Sequence, residues 1–280
     1  MNARRSDDLE LLVQGWLAAQ GSTNTRTAYG HDAAHFRQWC AAQDRQPLRI
    51  TTADLASYLA HCRGEGSAPS TVARRRAALA SFYRYAVATD AIGANPVGPP
   101  SSTARAASAT AVLDDEQTRS LLSAADRQGS KSAALVRLLL CDGLRLGEIL
   151  DANAEDVQGT PTRAGLTVVR GGFPADIRLR RATGRRLFEY RSERRRGPLF
   201  LGDTPHRRST RLTRFGADYL VKRVATAAAI EGPVSANTLR RRFVIDAHEN
   251  GRSMTDIRNH VGHQDVRTTR RYLNPEPSKR

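Results

Sequence analysis

Lysine is nearly missing from this chain of 280 residues: only Lys131, Lys222 and Lys279 occur among 44 basic residues, and all the others are arginine. Positive charge is thus carried by a side chain that does not titrate near neutrality and whose planar fork grips phosphate through two parallel hydrogen bonds. Cysteine is scarce as well. Cys40, Cys62 and Cys141 are odd in number, far apart and set in apolar helical pattern, which excludes a disulfide framework or zinc-ligand spacing. No run of about 18 apolar residues occurs, which excludes a transmembrane helix. The opening MNARRSDDLE mixes acids and bases with no apolar core behind it, so no secretory signal is expected. A soluble, cytoplasmic protein with no membrane partner follows as the expectation. Glycine-rich nucleotide fingerprints, HExxH and a serine nucleophile elbow are absent. His260 and His263 stand at i, i+3, but without a third ligand they predict no metal site. Aromatics make up 6% and form no stacking motif, which argues against an RNA-binding module.

What is present is charge and apolar pattern. Acidic residues number 28, leaving a net +16, and a polyanion is the default partner. Apolar residues make up 40%, too many for a wholly disordered basic chain, and the length fits one large domain or two. Asn95–Val112 reads NPVGPPSSTARAASATAV, rich in Pro, Ser, Ala and Gly without periodicity, which predicts an exposed linker. Residues 1–112 hold 12 basic and 8 acidic residues, and 113–280 hold 32 and 20. Most of the excess charge lies in the second part.

Before the linker, apolar stripes at Tyr29, Ala33, Phe36 and Cys40, at Leu55, Tyr58, Leu59 and Cys62, and at Val72, Leu79, Phe82, Tyr83 and Ala86 predict about four helices. Starts are marked at Thr23–Thr25, at Thr51 and Thr52 before Asp54, and at Ser70 and Thr71 after Pro69. Arg74, Arg75, Arg76 and Arg84 lie beside the last stripe, either as a solvated face or as a face laid on a DNA backbone. After the linker, Asp114–Ala125 predicts a helix opening on three acids. A second helix carries Leu135, Leu138, Leu139 and Ile149. Leu166–Val169 and Ile177–Leu179 form a hairpin around a turn at Arg170–Asp176. Further helices are expected around Phe215–Ala229, Leu239–Glu249 and Met254–Val261. The expected fold class is mainly α with a small β-sheet.

Four separated stretches hold the candidate chemistry. CDGLRLGEIL places Arg145 in a turn between apolar helices, with Glu148 one turn later; Arg170 lies at the hairpin; SANTLRRRF places Arg240 near a helix start; HVGHQDVRTTRRYL carries His263 and Tyr272. The ordered set Arg145, Arg240, His263 and Tyr272 resembles the tyrosine recombinases, the family of phage integrases and of chromosome dimer resolution enzymes. The resemblance extends over nearly the whole chain, including NTRTAYGHDAAHF, PSTVARRRAALASFYRYA and IGANPV. It implies a helical SAM-like core-binding domain at 1–94, a linker at 95–112, a mixed α/β catalytic domain at 113–273 and a short tail at 274–280, with the two domains forming a C-shaped clamp on DNA.

The resemblance also implies an activity, site-specific cleavage and rejoining of double-stranded DNA at attachment or crossover sites, in phage or mobile-element integration and excision. The tyrosine oxygen attacks a phosphodiester, giving a 3′-phosphotyrosyl link and a free 5′-hydroxyl, and the energy stays in the covalent bond, so neither ATP nor metal is called for. Tyr272 matches the nucleophile, Arg145 and Arg240 the two phosphate-clamping arginines, and His263 a phosphate donor, with capping after Gly262 as its plain alternative. Glu148 would orient Arg145. Arg241 and Arg242, like Arg74–Arg76, are candidates for holding DNA phosphates. The implied partners are DNA, three further copies in a synaptic homotetramer built from a chain monomeric without DNA, and a directionality factor.

Two positions depart from the family pattern. The family's hairpin lysine, the donor to the leaving 5′-oxygen, falls on Arg170, and its histidine three residues before the second arginine falls on Asn237. Arginine is a poor acid beside lysine, and an asparagine amide cannot shuttle a proton. Either the enzyme is slow, or it recruits water or another group, or the chain is a catalytically reduced recombinase-like DNA-binding protein. A topoisomerase would share the chemistry. On an active enzyme, Arg170→Lys or Asn237→His is expected to keep or raise the rate of DNA cleavage, read as covalent adduct formed on a nicked duplex.

Overall fold

The computed structural model describes residues 2–98, 112–202, 210–263 and 265–273. The chain divides into two compact units, residues 1–108 and 109–280. The first is built from four helices, α1 (Asn2–Ala18), α2 (Thr23–Ala42), α3 (Thr52–Gly64) and α4 (Pro69–Ala88). Their starts follow the residues that satisfy orphan N–H groups. Ser22 caps α2, Thr51 and Asp54 close a reciprocal capping box on α3, and Pro69 occupies the first turn of α4. The core is aromatic: Trp16, Phe36, Tyr58, Phe82 and Tyr83 are buried, with Phe36 edge-on to Tyr58 at 5.0 Å between centroids and Trp16 stacked on Tyr29 at 5.4 Å. The start of the expected linker belongs to this packing. Val97 is buried, and the Asn95 side chain donates to the Ala80 carbonyl (3.2 Å). Residues 99–111 and the tail 274–280 lie outside the described residues.

The second unit is mixed. Helices α5 (Asp115–Arg127), α6 (Ser130–Leu140) and α7 (Leu146–Asp151) lead into strands β1 (Val157–Thr160), β2 (Arg163–Arg170) and β3 (Phe173–Arg178). Helices α8 (Arg181–Arg191), α9 (Arg214–Ala227), α10 (Ala236–Glu249), α11 (Met254–Val261) and α12 (Val266–Leu273) follow. The sheet is antiparallel in the order β1-β2-β3. Helix α6 lies in the core: residues 132–140 are all buried, mostly apolar but with Ser132 and Arg137 among them, and it packs against α5, α8 and α10.

Three expectations are corrected. The pattern from Leu135 to Ile149 is not one helix. It breaks after Leu140, passes through Gly143 at φ +64° and resumes as α7, so Ile149 lies on a separate helix. The hairpin turn is not Arg170–Asp176 but two residues, Gly171 and Gly172, at φ +59° and +87°. Adjacent glycines adopt the positive φ values of a tight turn whose twist suits the strands, so pairing runs on to Arg170↔Phe173, with Pro174 tolerated on the edge strand β3. β1, α8 and α12 had no counterpart in the pattern. β1 is four residues reading VQGT, and α8 opens on RATGRR, so neither offers an apolar period long enough to read.

The break at Gly143 is held by a close fit. A Cβ there would enter the ring of Phe243, itself buried on α10. Gly143→Ala is expected to destabilise the C-terminal unit by about 2 kcal/mol or more, from overpacking together with the positive φ; urea or thermal unfolding of the full chain measures it.

Candidate active site

The break between α6 and α7 makes Arg145 the residue that caps α7. Its backbone N–H donates to Glu148 Oε2 (2.8 Å) and its Nη1 to Glu148 Oε1 (3.1 Å). From the end of β2, Arg170 reaches the same carboxylate, Nε to Oε1 (2.8 Å) and Nη2 to Oε2 (3.1 Å). Glu148, whose side chain is 4% exposed, thus accepts four hydrogen bonds, a full complement for a carboxylate.

A second anchor is the C-terminal end of α11. The helix closes on Gly262 in the left-handed region (φ +68°, ψ +34°), as C-terminal glycines do, and its last carbonyls have no helical partners. Arginines take them. Arg170 Nη1 donates to the His260 carbonyl (2.7 Å) and lies 3.5 Å from that of Asn259, Arg240 Nη2 donates to Val261 and Arg145 Nη2 to Gly262. Arg240 Nη1 also donates to the Gly143 carbonyl (2.7 Å). Three guanidiniums therefore converge on the negative end of one helix dipole. A second contact favours glycine at 262: a Cβ would stand 3.0 Å from Cδ and Nε of Arg170, which would have to shift by a few tenths of an ångström.

The consequences for ionisation are direct. Burial, with Arg145 beside it, brings the Arg240 pKa down to about 10, so it remains a cation at neutral pH. His263 is pushed down to about 4 by burial and by Arg240, Arg145 and Arg170, so its imidazole is neutral there. Thr269 on α12 holds the ring, Oγ1 to Nδ1 at 2.9 Å, which turns the opposite nitrogen, Nε2, away from Thr269. The Tyr272 ring lies nearly parallel to that of His263, 5.4 Å between centroids. Its hydroxyl donates to Asn237 Oδ1 (2.7 Å), and its carbonyl accepts from Arg241 Nε (3.0 Å).

The structure brings together Arg145, Glu148, Arg170, Asn237, Arg240, His263 and Tyr272, residues drawn from α7, β2, α10, the α11–α12 turn and α12. It does not do so for the other candidates. Arg241 is buried (5% exposed) with its Nε on Tyr272. Arg242 is paired with Asp115 and with Asp246 (2.6 Å) and donates to the Leu113 carbonyl (2.9 Å). Consecutive residues on a helix point about 100° apart, so the run Arg240–Arg242 cannot face one ligand. The same geometry divides Arg74–Arg76. Arg74 pairs with buried Asp32, Arg75 turns inward to Cys62 Sγ (3.1 Å) and Ser67 Oγ (3.3 Å), and Arg76 donates to the Gly98 carbonyl.

Sequence reasoning missed Thr269 and the true setting of His260. Thr269 stands three residues before Tyr272, hence on the same helical face, which is the signal that could have found it. His260 bonds through Nε2 to the Asp142 carbonyl (2.9 Å) and stacks on Phe243 (5.0 Å), away from Thr269, the partner of His263. The two histidines do not share a ligand position. Among the described residues no cluster of three His, Cys, Asp or Glu side chains could hold a metal ion, and no helix is long and apolar enough to cross a membrane.

Clustered fixed cations, a neutral imidazole and a phenol can hold the oxygens of a phosphoryl group while the phenol attacks phosphorus. The depressed His263 pKa has a pH signature. The unfolded chain binds a proton near pH 6.5 that the folded chain refuses until about pH 4, so this histidine costs stability as pH falls through that window. Asp142, whose pKa burial raises to about 6, acts in the opposite sense, so the test is a difference: His263→Asn is expected to lose less stability between pH 6.5 and 4 than the unaltered chain, measured by urea unfolding.

Comparison with known proteins agrees with this geometry. Residues 13–90 match the phage integrase N-terminal SAM-like domain, and residues 111–279 match the phage integrase family. Tyrosine recombinase XerD of Listeria monocytogenes serovar 1/2a is 27% identical over 263 residues, covering 90% of this chain and 88% of its own. XerD of Ralstonia nicotianae is 27% identical over 268 residues, covering 92% and 85%. Two solved structures share the fold. A lambda integrase (residues 75–356) dimer bound to a COC′ core site aligns with a TM-score of 0.73 at 17% identity, over 99% of this chain and 97% of that one. XerH recombinase bound to a palindromic difH substrate, in a post-cleavage complex, aligns at 0.72 and 18% identity, over 88% and 75%. With a family match that takes in the site from Arg145 to Tyr272, this chain belongs to the phage integrase family, the tyrosine recombinases.

Proposed function

We propose that the C-terminal unit cleaves and rejoins duplex DNA at a specific site through Tyr272. The observation that carries this reading is the placement of the Tyr272 phenol beside His263, within the field of the cations Arg145 and Arg240. Arg145, 41% exposed at its side chain, and Arg240 take the non-bridging oxygens of the scissile phosphate. The neutral His263 imidazole donates to one of them through Nε2. Tyr272 Oη forms a bond to phosphorus, the bond to the 5′-oxygen breaks, and one proton leaves the phenol while another reaches the 5′-oxygen, so no nucleotide is consumed. Asn237 holds the phenol before attack and, being an amide, does not take its proton. The helical N-terminal unit grips the same site through the phosphate backbone, and strand exchange proceeds in a tetramer, as the lambda integrase tetramer on a Holliday junction does.

The finer reading is integration and excision of a phage or mobile element, assisted by a directionality factor. It requires recombination between two different attachment sites. Resolution of joined chromosome copies instead requires two copies of one crossover site, and plasmids carrying each pair distinguish them. A second reading, a DNA-binding protein reduced in catalysis, draws on Arg170 and Asn237 standing where the family carries lysine and histidine. Duplexes recovered from a random-sequence pool by the purified chain, then nicked beside each phosphate in turn, decide between the two. A covalent protein–DNA adduct lost in Tyr272→Phe is expected. Binding with no adduct at any position establishes the second reading.

A further inference from the structure

Resting on that reading, we propose that Arg170 is a positioning residue that sets Arg145 through Glu148 and the α11 terminus, and that the proton for the leaving 5′-oxygen comes from water. An arginine is a poor proton donor beside a lysine whatever its direction. The Arg170 guanidinium points inward: Nε and Nη2 are on the two oxygens of Glu148, Nη1 lies against the His260 and Asn259 carbonyls, and the side chain is 13% exposed against 41% for Arg145. Four of its five N–H donors are so directed. It is also wedged in place, with Gly262 offering no side chain and little room for one beside its Cδ and Nε.

What the wedge controls is Arg145. Both guanidiniums share Glu148 Oε1, and both end on the same stretch of carbonyls, Arg170 on Asn259 and His260 and Arg145 on Gly262. Withdrawing Arg170 leaves a buried carboxylate with half its donors and free to follow Arg145 alone, so the clamp on the phosphate loses its register. A lysine cannot replace this. Its single ammonium lacks the planar fork that spans two carboxylate oxygens and two carbonyls at once. The sequence expectation for Arg170→Lys is therefore reversed. In the step itself, Tyr272 Oη bonds to phosphorus, the electron pair of the breaking P–O bond stays on the 5′-oxygen, which takes a proton from water, and the proton released by the phenol neutralises the hydroxide left behind, so water is regenerated.

A bridging sulfur at the scissile 5′ position tests this, because a thiolate leaves without an acid. Single-turnover adduct formation is measured with the full chain and its Arg170→Ala, Arg170→Gln and Arg170→Lys variants, on nicked duplexes of the recovered sequence with oxygen or sulfur at that position. Each variant is expected to lose about 100-fold in maximal rate, the size of a misplacement of about 1 Å, by similar factors on both substrates, with DNA affinity close to that of the unaltered chain and a lower melting temperature, so the rates are read well below it. Glu148→Gln should behave likewise, and the Arg170→Ala/Glu148→Gln double variant should be no slower than its slower parent, the mark of residues acting through one contact. Sulfur restoring any folded Arg170 variant to within about tenfold of the unaltered chain overturns the proposal, as does an Arg170→Lys variant cleaving the oxygen substrate at full rate. An unaltered chain that gives no adduct on either substrate overturns the reading of Tyr272 itself.

Discussion

Three arginine side chains packed within one buried site repel one another strongly unless negative charge is supplied among them. Two sources supply it here. Glu148 gives one full charge, divided between Arg145 and Arg170, and the end of α11 gives a row of carbonyls to all three guanidiniums. The backbone around the site serves this arrangement. α6 must end early for Arg145 to cap α7, Gly143 must turn left-handed for its carbonyl to meet Arg240, and Gly262, without a side chain, leaves Arg170 its place. Three cations against one carboxylate leave the site net positive, as a site for an anionic phosphodiester needs. Burial, reinforced by those cations, also keeps His263 neutral, which leaves its imidazole one N–H to donate.

The two units divide their resources differently. The N-terminal one uses ring packing and has most of its aromatic residues in a single core, with the buried charge of Asp32 met by Arg74. The C-terminal one builds around the buried helix α6 and uses arginines as internal ties, such as Arg137 of that helix to Asp126 (2.7 Å) and Arg211 to the carbonyls of Leu150 and Ala152 (2.6 and 2.8 Å). A composition this rich in arginine is therefore less of a DNA-facing surface than its net charge suggests, because an appreciable part is spent holding the fold.

The sequence showed the helices of the first unit clearly, since their apolar residues recur at 3.6 and their starts carry capping side chains. Two long motifs in family order also named residues that the fold brings close together, Arg145, Arg240, His263 and Tyr272. The sequence was poor at three things. Elements such as β1, reading VQGT, and α12, reading VRTTRRYL, carry too few apolar residues to display a period. A break inside an apolar run, as between Leu140 and Leu146, depends on a backbone turn at Gly143 that tertiary packing against Phe243 selects. The direction in which an arginine points is set by acceptors far along the chain, so Arg75, Arg170, Arg241 and Arg242 look alike in the sequence and differ in the fold.

The hydrogen bond from Tyr272 to Asn237 exists only while the phenol keeps its proton. On the proposed chemistry, the oxygen once esterified to phosphorus has nothing to donate to Asn237 Oδ1. The bond is therefore lost on cleavage and regained on resealing, a bias of about 1 kcal/mol toward the intact strand. The proposed reaction has bond energies that nearly cancel, so a bias of that size shifts its equilibrium about fivefold toward intact DNA. An asparagine at this position acts as a small spring that favours closed DNA.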